Sequence, residues 1–276
     1  MGIISLALMA LLPAIVLCVY VYIKDRVEKE PVSLLLKLLL FGALACFPAA
    51  GIESVLEGVI NAFFSKSVMA MGVMQGSLIY QYNFFKYFIG VALVEEAVKF
   101  LVLVLVTRKN KEFNSLFDGM IYSIFVSLGF AALENLMYVM SYGLGTAIMR
   151  AVLSVPGHMF FGVMMGYHYS MWHITDKAAQ VEQSLKADGI ISSYKKSFSS
   201  TKSIVMCLLI PILAHGFYDF CCVMGDAWFV ILIGFVIFMY VHCFRKIKRM
   251  SNADGLEIDY VKYLIVKKYP GVFDNY

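Results

Sequence analysis

Apolar runs of about 20 residues recur along this 276-residue chain, at roughly 2–23, 32–52, 83–106, 118–141, 151–172, 203–224 and 226–244. A run of that length crosses the roughly 30 Å hydrocarbon layer as one helix. A helix satisfies its own backbone hydrogen bonds in lipid and an open strand does not. The pattern therefore implies an all-α, polytopic membrane helix bundle of about seven transmembrane helices over residues 1–244. Charged residues make up 15% of the chain, against roughly 25% in soluble domains, which excludes a large soluble core as the origin of these runs. No basic residue precedes the first run and no small-x-small cleavage site follows it, so it reads as a retained span rather than a removed signal.

The basic residues orient the bundle. The segments beginning at 24, 107, 173 and 245 carry 3, 3, 5 and 7 Lys/Arg, which is 18 of the 23 in the chain. Lys66 and Arg150 fall on the other side, and Lys37, Lys86 and Lys99 lie inside spans. The positive-inside rule then places the N-terminus out and the C-terminus in. On this reading 53–82 is the largest extracytoplasmic loop, although GVINAFF and SVMAMGVM are apolar enough to lie along the interface. Residues 173–202 form a polar cytoplasmic loop, and 245–276 a basic cytoplasmic tail suited to anionic headgroups. The six cysteines lie in or beside spans without a CxxC pair, and read as buried apolar residues.

Besides Lys37 and Lys86, few ionisable groups interrupt the spans: Glu95, Glu96 and Lys99 in the third, Asp118 at the start of the fourth and Glu134 (followed by Asn135) inside it, His158 and His168 in the fifth, His215 and Asp219 in the sixth. A charge at the bilayer centre costs about 2.5–3.5 kcal/mol even on lenient scales, so these groups should face the bundle interior or a hydrated cavity. Glu95 and Lys99 are four residues apart and share a helix face, as do His215 and Asp219. Glu96 is rotated about 100° from Glu95, so the two carboxylates point at different neighbours. At about 1.5 Å per residue, Glu134, His158 and His215 each lie roughly 10–12 Å below the outer boundary, Glu95 roughly 18 Å and Asp219 roughly 6 Å. Helices running in alternating directions thus place their polar groups in one layer of the outer half, which implies one hydrated site open to the extracytoplasmic face.

Two chemistries suit that layer. A glutamate can activate water as general base while a histidine or Asn135 stabilises the oxyanion. Alternatively Glu134, His158 and His215, from separate helices, can hold Zn²⁺ with an open position for water. Either hydrolyses a carbonyl substrate within the membrane. Ser154 shares the face of His158, but a serine nucleophile is the weaker reading. A proton-coupled transporter can use the same residues, yet its polar groups should reach the inner face too, and repeated halves with broken helices are not evident. A non-catalytic membrane scaffold is the other alternative.

The motifs EEAVK at 95–99, LFDGMIYSIFVSLGFAALENLMY at 116–138, R-x5-P-G-H at 150–158 and HGFYD at 215–219 resemble the PrsW family of bacterial intramembrane proteases, distantly related to the CAAX-prenyl-protease and Abi group. The resemblance covers a core of roughly 83–222, with the motifs in order and each inside a span. It implies a multi-pass protein of the bacterial cytoplasmic membrane that makes the first cut in a single-pass anti-sigma factor during envelope-stress signalling. It also implies functional positions at Glu95, Glu96, Lys99, Glu134, Asn135, His158, His215 and Asp219. The family is described as metalloprotease-like, whereas its CAAX relatives have been argued to work without metal, so zinc stays open. Arg150 reads as an interface residue that can instead hold a site carboxylate, and Asp118 as the N-cap of its span. His168, His173 and His242 read as interfacial residues, Glu53 and Glu57 as solvated in preference to shaping a substrate entrance with the loop 53–82, and Pro156–Gly157 as loosening the helix before His158.

Overall fold

The computed structural model describes residues 3–71, 76–191 and 194–273. Residues 1–2 at the start of the first span, 72–75 of the expected outer loop, 192–193 of the expected inner loop and 274–276 of the tail lie outside the described residues. The chain is a helical bundle: α1 (Ile3–Lys24), α2 (Val32–Leu44), α3 (Cys46–Met71), α4 (Ser77–Phe84), a π-helical stretch (Phe85–Ala92), α5 (Leu93–Thr107), α6 (Asp118–Tyr142), α7 (Leu144–Val152), α8 (Ser154–Ala187), α9 (Thr201–Val223), α10 (Asp226–Asn252) and α11 (Glu257–Lys268). Six described helical segments are long and apolar enough to cross a membrane: Ile4–Lys24, Val32–Ser65, Asp118–Tyr142, Leu144–Ala187, Thr201–Val223 and Asp226–Asn252. The apolar run at 83–106 lies on a continuous helical path from Ser77 to Thr107. The π-helical stretch divides that path, so its α-helical parts are only 8 and 15 residues long.

Two segments expected as loops are largely helical. Within 53–82, α3 continues to Met71 and α4 starts at Ser77. Beyond its first turn α3 contains no proline, and the apolar GVINAFF extends it. Within 173–202, α8 runs on to Ala187 through ITDKAAQVEQSLKA, a sequence rich in good helix formers. The tail folds as the end of α10 plus the short helix α11.

The axle of the bundle is α6, buried along most of its length, with α1, α2, α5, α7 and α8 packed around it. Small residues set how near the neighbours come. A Cβ placed on Gly42 of α2 would overlap the Val126 carbonyl of α6, and one on Gly129 of α6 would overlap the Leu39 carbonyl of α2. The two backbones therefore touch, and any larger residue at either glycine would separate the helices. On the opposite side of α6, Gly166 of α8 meets the Met120 backbone in the same manner, at 2.6 Å from a built Cβ. Met120, Ile121, Ile124 and Leu128 fill the space between, against Leu35 and Leu38 of α2 and Met159 and Val163 of α8.

Local details near the helix starts differ from the sequence expectation. Pro156 lies in the first turn of α8, where its missing N–H has no intrahelical partner to lose, so Pro156–Gly157 opens the helix rather than loosening it. Asp118 is the first residue of α6, and its carboxylate accepts from the Asn114 and Ser115 amides and the Ser115 hydroxyl upstream. It caps the preceding turn, not the helix it begins.

Candidate active site

Four elements converge on one polar centre beside α6. From α5 come Glu95, Glu96 and Lys99, all buried. The Lys99 ammonium donates to Glu95 Oε2 at 2.9 Å, to Glu96 Oε1 at 2.9 Å and to His158 Nδ1 of α8 at 3.1 Å, and lies 4.1 Å from the centre of the Phe130 ring. Because Lys99 has no acceptor to offer, His158 Nδ1 must accept, which leaves the proton on Nε2 to donate to Glu134 Oε2 at 2.8 Å. Glu134 Oε2 also meets Arg150 of α7 at 2.8 Å.

The fourth contributor is α9. His215 Nδ1 stands 3.0 Å from Glu96 Oε1, and its Nε2 faces Asp219 Oδ2 at 3.3 Å and Glu95 Oε2 at 3.9 Å. Phe161 stacks on the imidazole with centroids 4.7 Å apart, which holds the ring plane. Gly216 accounts for this approach of α9 to α5: the Phe88 ring of the π-helical stretch occupies the place a side chain would need, 2.6 Å from a built Cβ. A π-helical turn shifts the register of the helix beyond it, and such turns recur at functional sites. Here one ends at Ala92, immediately before the helix that carries the glutamates.

A cavity of about 610 Å³ opens on this centre. Glu95, Glu134, His158, His215, Asp219 and Arg150 line it; Glu96, Lys99 and Asn135 do not. The two adjacent carboxylates are thus divided. Glu95 faces the cavity, and Glu96 stands behind it, fully buried between Lys99 and His215. Asn135 is also buried, its amide donating to the Ala10 carbonyl at 2.7 Å and its Oδ1 accepting from Arg150 Nε at 3.0 Å. It joins α1, α6 and α7 and aims the arginine, so its amide is spent before it could serve an oxyanion. Arg150 is a site residue, stacked 4.2 Å over Tyr138. Ser154 lines the cavity, but the ring nitrogens of His158 are taken by Lys99 and Glu134.

One carboxylate takes the less favoured of its two sequence readings, a place at the cavity rather than in solvent. Glu53, read from the sequence as solvated, lines the cavity from α3 together with Lys86 and Tyr87. Its neighbour Glu57 pairs with Lys86 at 2.5 Å across the gap between α3 and the π-helical stretch. The signal for Glu53 was the recurrence of apolar residues at Val55, Leu56, Val59 and Ile60 with no proline after Pro48, which continues the helix and carries Glu53 along the bundle instead of out of it.

Comparison with known proteins identifies the family. The model of the PrsW family intramembrane metalloprotease matches residues 30–243. The chain belongs to the PrsW family. Protease PrsW of Clostridioides difficile strain 630 is 32% identical over 256 residues, covering 90% of this chain and 92% of that one. Protease PrsW of Oceanobacillus iheyensis is 28% identical over 240 residues (87% and 93%), and that of Bacillus subtilis strain 168 is 28% identical over 246 residues (89% and 95%). No solved structure matches the chain. As a PrsW-family member with apolar spanning helices and bacterial relatives, the chain is a membrane-embedded protease of a multi-pass bacterial type, which sets aside the transporter and scaffold alternatives.

The family description names a metal, so the donors of this PrsW chain need testing against one. Glu95, His158 and His215 each offer a ligand atom, all within 4.8 Å of one another. One carboxylate and two imidazoles are a zinc-type set, with room for water in a fourth position. The carboxylate differs from the expected one: Glu134 is committed to His158 Nε2 and Arg150, and Glu95 takes its place beside the imidazoles. The donors fit. A metal held there would polarise a carbonyl or lower the pKa of a bound water.

Proposed function

We propose that this chain hydrolyses a peptide bond in a single-pass membrane protein, near its extracytoplasmic side, with Glu95 as general base. The observation that carries this is the division of labour on α5. Glu95 presents to the cavity with Oε2 tied to Lys99, while Glu96 is shut behind it. In this reading Oε1 of Glu95 takes a proton from water as its oxygen attacks the scissile carbonyl carbon. Arg150 and His215, both on the cavity wall, face the oxyanion that forms. The proton then passes from Glu95 to the leaving amine as the C–N bond breaks, and the carboxylate is regenerated. Lys99 and Glu96 hold the base and the imidazole in place and touch no substrate.

We further infer that the bundle runs N-terminus out and C-terminus in, and that the substrate is an anti-sigma factor cut at its first site. The charge distribution supports the orientation, with 18 of 23 Lys/Arg on one side. The motif resemblance supports the substrate. The test is reconstitution in liposomes with a single-pass anti-sigma-type substrate, comparing wild type with Glu95→Gln and Glu96→Gln and assaying bound zinc on the same samples. Cleavage lost in Glu95→Gln with folding retained supports the assignment. Zinc at one per chain that falls with His215→Ala would move the activation of water from Glu95 alone to the ion. Full activity in Glu95→Gln would sink the proposal.

A further inference from the structure

Away from the active centre, α8 and α10 enclose a second cavity of about 390 Å³ with an unusual lining. One wall is a single stripe of α10. Phe238 and Val241 stand at one end of it, and Arg245, Lys246 and Arg249 at the other, with Tyr167 of α8 opposite. Spacings of three and four residues put these positions on one helix face. Seven residues separate Phe238 from Arg245, about 10 Å along the axis. The stripe therefore changes over that length from apolar to cationic. Phe238 and Val241 are 57% and 45% exposed on a helix apolar enough to cross the membrane, so this end of the wall faces lipid chains.

The cationic end has no counter-charge of its own. Among the described residues no carboxylate lines the cavity. Among the described residues the arginines that pair with carboxylates are Arg108 and Arg150, far along the chain from this face. Lys246 lies 3.5 Å from the centre of the Tyr167 ring, which fixes the ammonium without neutralising it. The charged groups nearest the flanking histidines add to the excess: Lys246 and Arg249 beside His242, Lys246 and Lys202 beside His168. Arg245 and Arg249 are exposed at the rim and Lys246 is half-buried, whereas half-buried Arg108 and Lys268 each pair with a carboxylate. A recess with unpaired cations at one end and exposed hydrocarbon at the other has the length and polarity of a lipid: phosphate on the arginines, acyl chain along Phe238 and Val241. Basic pockets between helices at a membrane surface bind anionic headgroups by this means.

We propose that the α8–α10 recess is a binding site for an anionic phospholipid, with Arg245 and Arg249 on the phosphate, Tyr167 and Lys246 as its floor, and the Phe238–Val241 wall on the acyl chain. This assignment is independent of which residue activates water. The test uses the full-length protein in a neutral detergent, titrated separately with phosphatidylglycerol, phosphatidylcholine of the same chains, and glycerol 3-phosphate. Bound lipid is read by native mass spectrometry alongside the thermal midpoint. Phosphatidylglycerol is expected to bind in discrete stoichiometry and raise the midpoint, and the other two to do neither. Arg245→Gln/Arg249→Gln should weaken phosphatidylglycerol about 30-fold, at roughly fivefold per charge. Lys248→Gln/Lys267→Gln, which removes the same charge outside the recess, should leave binding unchanged. Phe238→Ala/Val241→Ala should weaken the lipid with all cations present. Equal losses from the two charge-removing pairs would overturn the site in favour of diffuse attraction to a basic surface. An equal response to glycerol 3-phosphate, or none to Phe238→Ala/Val241→Ala, would overturn the lipid as its occupant.

Discussion

Two histidines fifteen residues apart on α8 sit in nearly the same immediate surroundings. His158 accepts from Lys99 at 3.1 Å on Nδ1 and donates to Glu134 at 2.8 Å from Nε2. His173 accepts from Arg108 at 3.1 Å on Nδ1 and donates to Glu257 at 2.6 Å from Nε2. Both are buried. What separates them is the balance of charge one step further out. Around His173, Arg108 and Lys177 meet Asp176 and Glu257, two cations for two carboxylates. Phe113 stacks on the ring at 3.8 Å and 13°, closing one face. Around His158 and the adjoining His215, Lys99 and Arg150 meet Glu95, Glu96, Glu134 and Asp219, two cations for four carboxylates. A cation and a carboxylate on opposite nitrogens of a histidine therefore do not identify a catalytic group. A surplus of carboxylates facing a cavity, held in place despite the cost of burial, is what distinguishes the centre at His158.

The comparison breaks most decisively at the surplus itself. Glu95→Gln removes a base while keeping shape, and cleavage should fall by at least about 10²–10⁴-fold, the usual contribution of general-base catalysis. The variant's circular dichroism and thermal midpoint should stay near wild type. Cleavage within a few-fold of wild type would return Glu95 to the structural class to which Glu257 belongs.

Next in size is the pair of cations. Lys99→Met leaves Glu95 and Glu96 buried without their shared partner, and stability should drop by about 3–5 kcal/mol, the scale for breaking a buried ion pair. Arg108→Met breaks an ion pair whose members are 20% and 35% exposed at the side chain, and should cost no more than about 1 kcal/mol. Thermal melts in one detergent measure both. Equal losses would show that depth, not geometry, has been misjudged.

His173→Ala sharpens the contrast from the other side. It takes one partner from Glu257 and one from Arg108, which keep Lys177 and Asp176, and should cost about 0.5–1.5 kcal/mol per hydrogen bond lost. Per folded molecule, cleavage should be unchanged. Loss of cleavage out of proportion to loss of fold would make the inner cluster part of the reaction.

These outcomes also mark what the sequence could and could not disclose. Glu95, Glu96, Lys99, Glu134, Asn135, His158, His215 and Asp219 were legible as one constellation because lipid makes each of them costly anywhere but in a shared interior. Helix spacing implied that Glu95 and Glu96 point at different neighbours, yet both accept from Lys99 and both stand beside His215, because the long lysine side chain reaches between them. Spacing also did not say which faces the cavity. That depends on where α9 lands, and its landing depends on Gly216 receiving Phe88 from a π-helical stretch that no sequence pattern announced. Asn135 was legible as an intramembrane amide, whereas its commitment to Ala10 and Arg150 required the position of α1. Glu53 was lost at a boundary: ending the second apolar run at residue 52 exposed a carboxylate that α3 carries to the cavity. His173 was misread as an ordinary interfacial residue because Glu257 and Arg108 are distant in sequence, and only the return of α11 onto α8 assembles the cluster.

The smallest expected effect concerns that return. Burial would raise the pKa of Glu257, but the hydrogen bond and charge of His173, together with Lys177, outweigh it and hold the carboxyl below its ordinary 4.5. A carboxyl depressed in the folded state contributes stability that is present above its unfolded pKa and lost as pH falls through its folded value. Docking of α11 should therefore be tighter in wild type than in Glu257→Gln at neutral pH, and this difference should shrink as pH falls below about 4.5. Limited proteolysis of the 253–256 turn, followed across that range in both proteins, reads the difference directly. A gap that persists unchanged at low pH would mean that packing of Val261 and Ile265, both buried, holds α11 in place without help from the ion pair. The resemblance between His158 and His173 would then end at their hydrogen bonds, with only the His158 centre depending on charge.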